Sequence, residues 1–318
     1  MGHPLQQKMQ TKVRRLLVGV FYRFWLAPTS SLRVLPDFLI IGAQKAATTS
    51  LQAALAREKF CQPSWRKETH FFDHNYFRGI GYYRRYFPFR FTMKILSYTR
   101  GSAMISCEAS PDYVCHPLAF KRIRAELGLL PLIVVLRNPV TRAISQYYHN
   151  LRVGGSDREP LVLEEALKAE KNRIGDDVAL LEQGVIGYSP AVFFHGYVFR
   201  GLYAEQLRRY SDWIETGRFK VVIFEEFISN QSKVLTDVFS FLGKVSVGSD
   251  VAPAPAKNVG FKNKRFSRQV IEDLIAAFSE DRKELESLIG RRLDCWDEEN
   301  ENLLKMCNDD YKGRRAHR

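Results

Sequence analysis

The segment from Phe38 to Leu51, which reads FLIIGAQKAATTSL, constrains the fold of this chain more than any other segment. A continuous apolar run is followed by a short loop that contains Lys45, and then by hydroxyl side chains at the start of a helical pattern. The first N–H groups of a helix point away from it, and the helix dipole favours an anion there. The pattern therefore predicts a buried strand, a phosphate-binding loop and a helix.

The residues of this loop supply what a phosphate site needs: a positive charge, small side chains that let the backbone approach closely, and hydroxyl groups. The candidate ligands are Lys45, Ala46, Ala47, Thr48, Thr49 and Ser50. The alternative is an ordinary strand–helix turn, with a solvated lysine and hydroxyls that only cap the helix.

The loop does not carry the signatures of two common nucleotide folds. A Walker A loop requires G-x-x-x-x-G-K-[ST], but a count from Gly42 places Ala47 and Thr48 where that motif has glycine and lysine. The segment does not fit G-x-G-x-x-G either, which disfavours a dinucleotide fold. A nucleotide phosphate is still the expected ligand.

A second segment, from Leu132 to Tyr148, repeats the order of strand, turn and helix. Its apolar run is typical of a strand buried on both faces of a parallel sheet. Arg137 follows that run, at the edge where ligands of open α/β sheets bind, and Ser145 lies about two helical turns further on. The pair could hold a second phosphate. A surface arginine and a helical serine are the alternative.

The two segments together resemble a known family. K-A-A-T-T-S-L and R-N-P-V-T-R-A-I-S are similar to the two phosphosulfate-binding signatures of sulfotransferases that use 3′-phosphoadenosine 5′-phosphosulfate (PAPS). The closest resemblance is to the carbohydrate group, which includes heparan sulfate 3-O- and N-sulfotransferases and bacterial relatives. Three further matches are Arg66–Asp73 with K-E-x-H-F-F-D, Glu108–Tyr113 with E-x-[ST]-P-x-Y, and Gly201–Leu207 with G-x-Y-x-x-x-L. The resemblance covers about Phe38 to Trp296.

The resemblance implies roles for individual residues. The loop from Lys45 to Ser50 would hold the 5′-phosphate, and Arg137 and Ser145 would hold the 3′-phosphate. Negative charge grows on the leaving phosphate, and Lys45 would stabilise it. Glu68 corresponds to the family's general base, although its local sequence alone would suggest a surface glutamate. His70 is the second candidate for the base, or a residue that orients the acceptor.

The implied donor is PAPS, with 3′,5′-ADP as the product. A basic run near the C-terminus, which includes Lys262 and Arg265, is a candidate for a third nucleotide contact, although such runs are more often solvated. No His or Cys spacing in the chain resembles a metal site, so no metal is expected.

Alternating strand and helix patterns predict an α/β fold, and the resemblance implies a P-loop-like three-layer arrangement with a central parallel sheet flanked by helices. The predicted strands are Phe38–Ile41, Ala103–Cys107, Leu132–Leu136 and Lys220–Phe224. The predicted helices are Pro117–Leu127, Leu161–Arg173 and Gly201–Thr216. The aromatic segment from Gly175 to His195 is expected to shape the acceptor cleft.

The chain is expected to divide into three parts. Residues 1–35 are basic and apolar, residues 36–300 form the sulfotransferase domain, and residues 301–318 form a basic, flexible tail. The N-terminal apolar run is interrupted by Arg23 and is shorter than the roughly 20 residues of a membrane span, so a membrane-surface helix and a helix packed on the domain are equal alternatives. Five cysteines without paired spacing argue against a disulfide framework and favour the cytoplasm.

The charge balance constrains the partners. The formal net charge is +13, which suits anionic partners. No nucleic-acid recognition fold is evident, so the expected acceptor is an anionic or neutral glycan or another alcohol. Two other classes stay open from the sequence: a P-loop nucleotide or small-molecule kinase, and a non-catalytic protein that binds polyanions.

Overall fold

The centre of the fold is a five-stranded sheet. The computed structural model describes residues 28–245 and 266–307. Strands β1 to β5 are, in chain order, Phe38–Gly42, Cys61–Pro63, Ile105–Ala109, Leu132–Leu136 and Phe219–Ile223. All pairings are parallel, and the spatial order is β2-β3-β1-β4-β5. After β1 the chain adds β2 at one edge and β3 between β2 and β1, and it then adds β4 and β5 on the other side of β1. Ligands of open α/β sheets bind at the carboxyl ends of strands at such a switch point.

The central strands are buried on both faces because their residues are apolar without alternation. Every residue of β1 and of β4 is buried. Full burial of one large aliphatic or aromatic side chain contributes roughly 1.5–3 kcal/mol, so these two strands anchor the core. The loops that follow them are therefore attached to the most rigid part of the molecule.

Helices cover both faces of the sheet and connect its parallel strands. Helices α1 to α13 are, in chain order, Thr48–Arg57, Ile80–Arg84, Arg90–Arg100, Ala119–Leu127, Pro139–Arg158, Leu163–Glu182, Pro190–His195, Tyr203–Arg208, Ser211–Glu215, Phe224–Ser229, Gln231–Phe241, Arg268–Ile289 and Asp294–Lys305. Short 3-10 turns span Ser30–Leu32, Tyr76–Arg78 and Phe199–Gly201, and a π-helical turn spans Phe71–Asn75. The predicted α/β fold with a central parallel sheet flanked by helices is confirmed.

Several element boundaries differ from the prediction. The strand predicted at Ala103–Cys107 is shifted by two residues, so Glu108 lies inside β3. The short edge strand β2 was not predicted, because three residues carry no periodic signal. The helix predicted at Gly201–Thr216 is divided into a 3-10 turn, α8 and α9.

The helix predicted at Leu161–Arg173 is longer than expected. It runs from Leu163 to Glu182, so the first part of the segment from Gly175 to His195 is helical. The helix continues because Ile174, Val178 and Leu181 follow a helical spacing and pack in one apolar cluster.

Parts of the predicted domain plan lie outside the described residues. These are residues 1–27 of the N-terminal segment, the basic run with Lys262 and Arg265, and the tail from residue 308 onward. Residues 301–305, predicted to belong to the tail, are part of α13. Within the part of the chain that the structure describes, no helix is both long and apolar enough to cross a bilayer.

Candidate active site

The loop between β1 and α1 presents backbone donors at a helix start. Lys45 and Ala47 adopt positive φ angles of 70° and 64°. Among residues 28–245 and 266–307, no acceptor meets the N–H groups of Ala47, Thr48 and Thr49, whereas the N–H of Ser50 already donates to the Ala47 carbonyl (2.9 Å). Such free donors, with the helix dipole behind them, form an anion-binding site.

Lys45 lies in a strongly positive environment. Burial, and then the charges of Arg152, Arg137 and Lys67, lower the pKa of Lys45 to about 8, while the charge of Glu68 acts in the opposite direction. These contributions place Lys45 close to residues from three separate segments. A bound anion would raise the pKa of Lys45 again, because it would favour the ammonium form.

Arg137 joins the two predicted phosphate segments. Its side chain is buried, its Nη1 donates to the Lys45 carbonyl (3.1 Å), and its Nε donates to the Thr141 hydroxyl (2.9 Å). The guanidinium also lies over the ring of Phe224, 4.7 Å from its centroid. Ser145 is buried one turn beyond Thr141 on the same face of α5. The structure thus places Arg137 against the Lys45 loop, with Ser145 further along the helix.

Two partly buried carboxylates that sequence analysis did not select, Glu225 and Glu299, act on Arg137. Glu225 accepts a hydrogen bond from the Trp296 indole (2.9 Å), and Glu299 accepts one from the Thr141 hydroxyl (3.3 Å). Burial, and then the charge of Glu225, raise the pKa of Glu299 to about 7. Glu225 lies in α10 and Glu299 in α13, both far along the chain from Arg137, and only the tertiary fold brings them to it.

The predicted acceptor-side loop, residues 66–70, carries Glu68 and His70, which also have positive φ angles, 53° and 49°. Glu68 Oε1 lies 3.1 Å from Lys67 Nζ, and Glu68 Oε2 lies 3.8 Å from His70 Nε2. Burial opposes ionisation of Glu68, but the nearby His70 imidazole and the charge of Lys67 hold its pKa below the ordinary value.

His70 is a cation at neutral pH. Burial alone would lower its pKa, but the hydrogen bond to Asp73 and the nearby Glu68 carboxylate raise that pKa to about 11. A protonated imidazole cannot accept a further proton. Of the two candidate bases, the geometry therefore favours Glu68, and His70 is placed to orient it.

The loop of Glu68 and His70 is fixed by side chains at the end of β3. Three consecutive N–H groups each donate to one side chain: Thr69 to Glu108 (3.2 Å), His70 to Ser110 (3.1 Å) and Phe71 to Tyr113 (3.0 Å). Ser110 also donates to Glu108. Burial raises the pKa of Glu108 to about 7. The segment Arg66–Asp73 therefore forms a loop that the segment Glu108–Tyr113 supports, and the family resemblance had selected both segments.

A pocket with aromatic walls lies beside His70. The walls include Tyr188 and Phe193, and the polar residues lining it are Asp73, His74, Asp112, His116, Ser189 and Arg200. Phe193 makes edge contacts with the rings of both His70 and His74. The segment from Gly175 to His195 thus lines a pocket next to the Glu68 loop, in agreement with its predicted position.

In the described part of the chain, non-glycine residues with positive φ occur in the two predicted functional loops alone. Among the described residues, the non-glycine residues with positive φ are Lys45, Ala47, Glu68 and His70. Each such conformation costs about 1–3 kcal/mol and persists only where the surrounding structure enforces it, commonly at functional sites.

The parallel sheet, with helices on both of its faces, defines the class of three-layer α/β proteins. The chain belongs to the sulfotransferase family of enzymes, because the family model of the sulfotransferase domain matches residues 35–289.

Comparisons with individual proteins agree with this assignment. The chain is 30% identical over 228 residues to human "Heparan sulfate glucosamine 3-O-sulfotransferase 6", which covers 71% of this chain and 57% of that protein. It is 32% identical over 219 residues to "Heparan sulfate glucosamine 3-O-sulfotransferase 3B1" of Mus musculus, which covers 68% of this chain and 48% of that protein. The matched segment thus spans about half the length of these relatives.

A solved structure shows the same fold. The crystal structure of a sulfotransferase from Alicyclobacillus acidocaldarius superposes with a TM-score of 0.60 at 29% sequence identity, and it covers 83% of this chain and 99% of that one.

Proposed function

We propose that this protein transfers a sulfuryl group from PAPS to a hydroxyl group of a carbohydrate acceptor. The observation that carries the proposal is that two loops with positive-φ residues, one with Lys45 and the other with Glu68, lie close enough for the Glu68 charge to raise the Lys45 pKa. One site would then offer a cation to a leaving group and a carboxylate to an acceptor proton. Membership of the sulfotransferase family supports this assignment.

The donor side would hold the nucleotide at two points. The free N–H groups at the start of α1, with the hydroxyls of Thr48, Thr49 and Ser50, suit the 5′-phosphate. We assign the 3′-phosphate to Arg137, with Ser145 further along α5. Arginine suits such a contact because its planar guanidinium can bind a phosphate through two hydrogen bonds. We propose that Lys262 and Arg265 add a third contact.

The reaction breaks the bond between sulfur and the 5′-phosphate oxygen and forms a bond between sulfur and the acceptor oxygen. Glu68 accepts the proton that the acceptor hydroxyl loses, and its lowered pKa keeps it ionised for this step. Lys45 stabilises the negative charge that grows on the leaving phosphate. His70 holds Glu68 in place from its other side.

A glycan acceptor is favoured by the relatives and by the charge of the chain. Both relatives described above are named for heparan sulfate glucosamine. The formal charge of +13, and the positive groups Lys67 and Arg152 near Lys45, suit an anionic polysaccharide. Tyr188 and Phe193 would offer apolar faces to a sugar ring.

The division of the chain at residues 35 and 300, a cytoplasmic location and a membrane-surface helix in the N-terminal segment all stay predictions. Cell fractionation of the full chain, beside a variant that lacks residues 1–27, tests the last two together. If the full chain is absent from the membrane fraction at low salt, this result would contradict a membrane-surface helix.

The donor assignment is tested by calorimetric titration of the protein with 3′,5′-ADP, 5′-AMP and Mg-ATP. We expect selective binding of 3′,5′-ADP. Arg137→Ala should weaken it about 10- to 100-fold, because a hydrogen bond to a charged group contributes about 1.5–3 kcal/mol. Arg208→Ala, at an exposed arginine paired with Glu284, is the matched control and should bind normally.

If the donor binds, labelled PAPS is then offered with heparan sulfate and with its desulfated forms. Label that appears on the polysaccharide supports the acceptor class. A preference for Mg-ATP over 3′,5′-ADP would favour the kinase alternative. Binding of heparan sulfate without transfer of label would favour the polyanion-binding alternative.

A further inference from the structure

Helix α3, Arg90–Arg100, exposes a row of large apolar and aromatic side chains. Phe91, Ile95 and Tyr98 are 72%, 44% and 91% exposed. Residues separated by four and then three positions lie on one face of a helix, so these side chains form a single row, the α3 row. Met93, the buried residue of the helix, lies on the opposite face.

The α3 row reverses the pattern of an ordinary surface helix. A helix at the surface of a globular protein normally buries its apolar face and turns polar side chains to water. Here the face that points away from the domain is the apolar one. A contiguous exposed apolar surface with a polar rim usually marks a site where a protein or a membrane binds. We therefore treat the α3 row as a docking surface.

The turn Ser30–Leu32 extends this surface at the start of α3. Leu32 is 60% exposed. The next residue, Arg33, pairs with Phe89 in an antiparallel bridge, and its carbonyl accepts a hydrogen bond from Arg90 Nε (3.4 Å). These contacts place Leu32 beside the N-terminal end of α3.

The charge around the α3 row is positive. Arg90 and Lys94 flank the row, Arg100 ends the helix, and all three residues are exposed. Within the part of the chain that the structure describes, none of the three forms an ion pair. The sequence from residue 74 to residue 107 contains six Lys and Arg residues and no Asp or Glu. The docking surface therefore suits an anionic partner.

An anionic lipid surface fits both features of this helix. Apolar and tyrosine side chains enter the boundary between head groups and acyl chains, while Lys and Arg contact anionic head groups. An anionic polysaccharide would pair with the cations, but it has no acyl chains in which the α3 row could be buried. Residues 1–27 contain five Lys and Arg residues and no Asp or Glu, so repulsion between like charges disfavours that segment as the cover of α3, and it disfavours a second copy of α3 as well.

From this arrangement we propose that the α3 row, together with Leu32, docks the protein on a membrane surface that contains anionic lipid. The row enters the head-group region, and Arg90 and Lys94 stay at the level of the lipid phosphates. The helix has 11 residues and lies along the surface, because a membrane span needs about 20 apolar residues. This contact belongs to the described domain, and it is separate from any contact that residues 1–27 make.

The test is co-sedimentation of the full chain with vesicles of phosphatidylcholine, alone or mixed with phosphatidylserine. We expect binding to the mixed vesicles, and high salt should weaken it. The double variant Phe91→Ser, Tyr98→Ser should lower the partition coefficient at least about tenfold, because it removes apolar surface that the lipid would bury. Lys94→Gln should lower it about fivefold, which is the contribution of one cation near an anionic lipid surface.

Two variants outside α3 serve as matched controls. Met306→Ser removes another exposed apolar side chain, and Lys283→Gln removes another exposed cation; both should bind like the wild type. All variants retain residues 1–27, so the contribution of that segment is the same in each. Absence of wild-type binding to the mixed vesicles would overturn the proposal, and so would unchanged binding in the double variant.

Calorimetry with heparan sulfate distinguishes the other anionic partner. The double variant should bind this polysaccharide like the wild type. A larger loss of affinity for heparan sulfate than for the vesicles would assign the α3 row to the polysaccharide and overturn the proposal. Circular dichroism checks that each variant is folded. The vesicle assay contains neither donor nor acceptor, so this proposal and the proposed function fail separately.

Discussion

The two loops of the site share strained backbone but differ in how their polar groups are satisfied. The Lys45 loop leaves backbone N–H groups without acceptors among the described residues, and its cation is surrounded by other cations. The N–H groups of Thr69, His70 and Phe71 in the Glu68 loop are all paired with side chains near β3. The first loop is prepared to receive an anion, whereas the second is prepared to hold one carboxylate in a fixed place.

The largest effect should come from Glu68→Gln, which removes the proposed base and retains the shape of the side chain. We expect kcat to fall about 10²- to 10⁴-fold, while the Kd for 3′,5′-ADP stays unchanged, because the loss concerns only the acceptor-side loop. Single-turnover transfer from labelled PAPS measures the first quantity, and calorimetry measures the second. A fall in kcat accompanied by an equally large loss of affinity for 3′,5′-ADP would show that the two loops do not act separately.

The pH dependence of the wild-type activity also tests Glu68 as the base. The base must be ionised, and the pKa of Glu68 lies below the ordinary value. Activity should therefore persist as the pH falls to the usual carboxyl pKa and decline only below it.

A smaller effect should follow Glu108→Gln, which keeps an acceptor for the Thr69 N–H but removes a titratable group from the support of the loop. We expect kcat to fall about tenfold, with KM for PAPS unchanged, because a small displacement of Glu68 affects transfer and not donor binding. Ser106→Ala, at a buried residue of the same strand that lies outside this network, is the control. A rise in KM for PAPS without a change in kcat would contradict a positioning role.

The smallest effect should follow Glu299→Gln on the donor side. A partly buried carboxylate opposes an incoming phosphate, so its neutral isostere should tighten 3′,5′-ADP binding by about threefold at pH 8, and by less at pH 6. The pH dependence follows because the pKa of Glu299 is about 7, so the wild-type group is largely neutral at pH 6. Weaker binding in the variant at both pH values would mean that Glu299 mainly holds Thr141 and Arg137 in place.

The sequence predicted the central strands well and the acceptor side only in part. β1 and β4 are continuous apolar runs that only a doubly covered parallel strand explains, and the loops after them follow directly. Glu68 was selected through the family resemblance alone, since its local pattern is that of a surface glutamate. Its support by Glu108, Ser110 and Tyr113 depends on contacts across about 40 residues, as in the Thr69–Glu108 pair, which are 39 residues apart.

The protonation states of the groups in the site could not be predicted from the sequence. The raised pKa of His70 and the lowered pKa of Glu68 both arise from burial and from partners that meet only in the fold. Glu225 and Glu299 were not selected because acidic residues are usually solvated, and only the fold brings these two close to Arg137. Charge state is a property of the tertiary structure, and a motif records only which groups can titrate.

The hydrogen bond from Arg137 to the Lys45 carbonyl has a consequence for ligand selection. β1 and β4 are paired neighbours, so their loops start from a spacing of about 4.8 Å that the sheet does not allow to vary. The backbone of the sheet therefore fixes the separation between the loops that carry Lys45 and Arg137. A nucleotide with a single phosphate group would contact only one of these two cations. Discrimination against AMP would then come from the rigidity of the sheet as much as from the two charges.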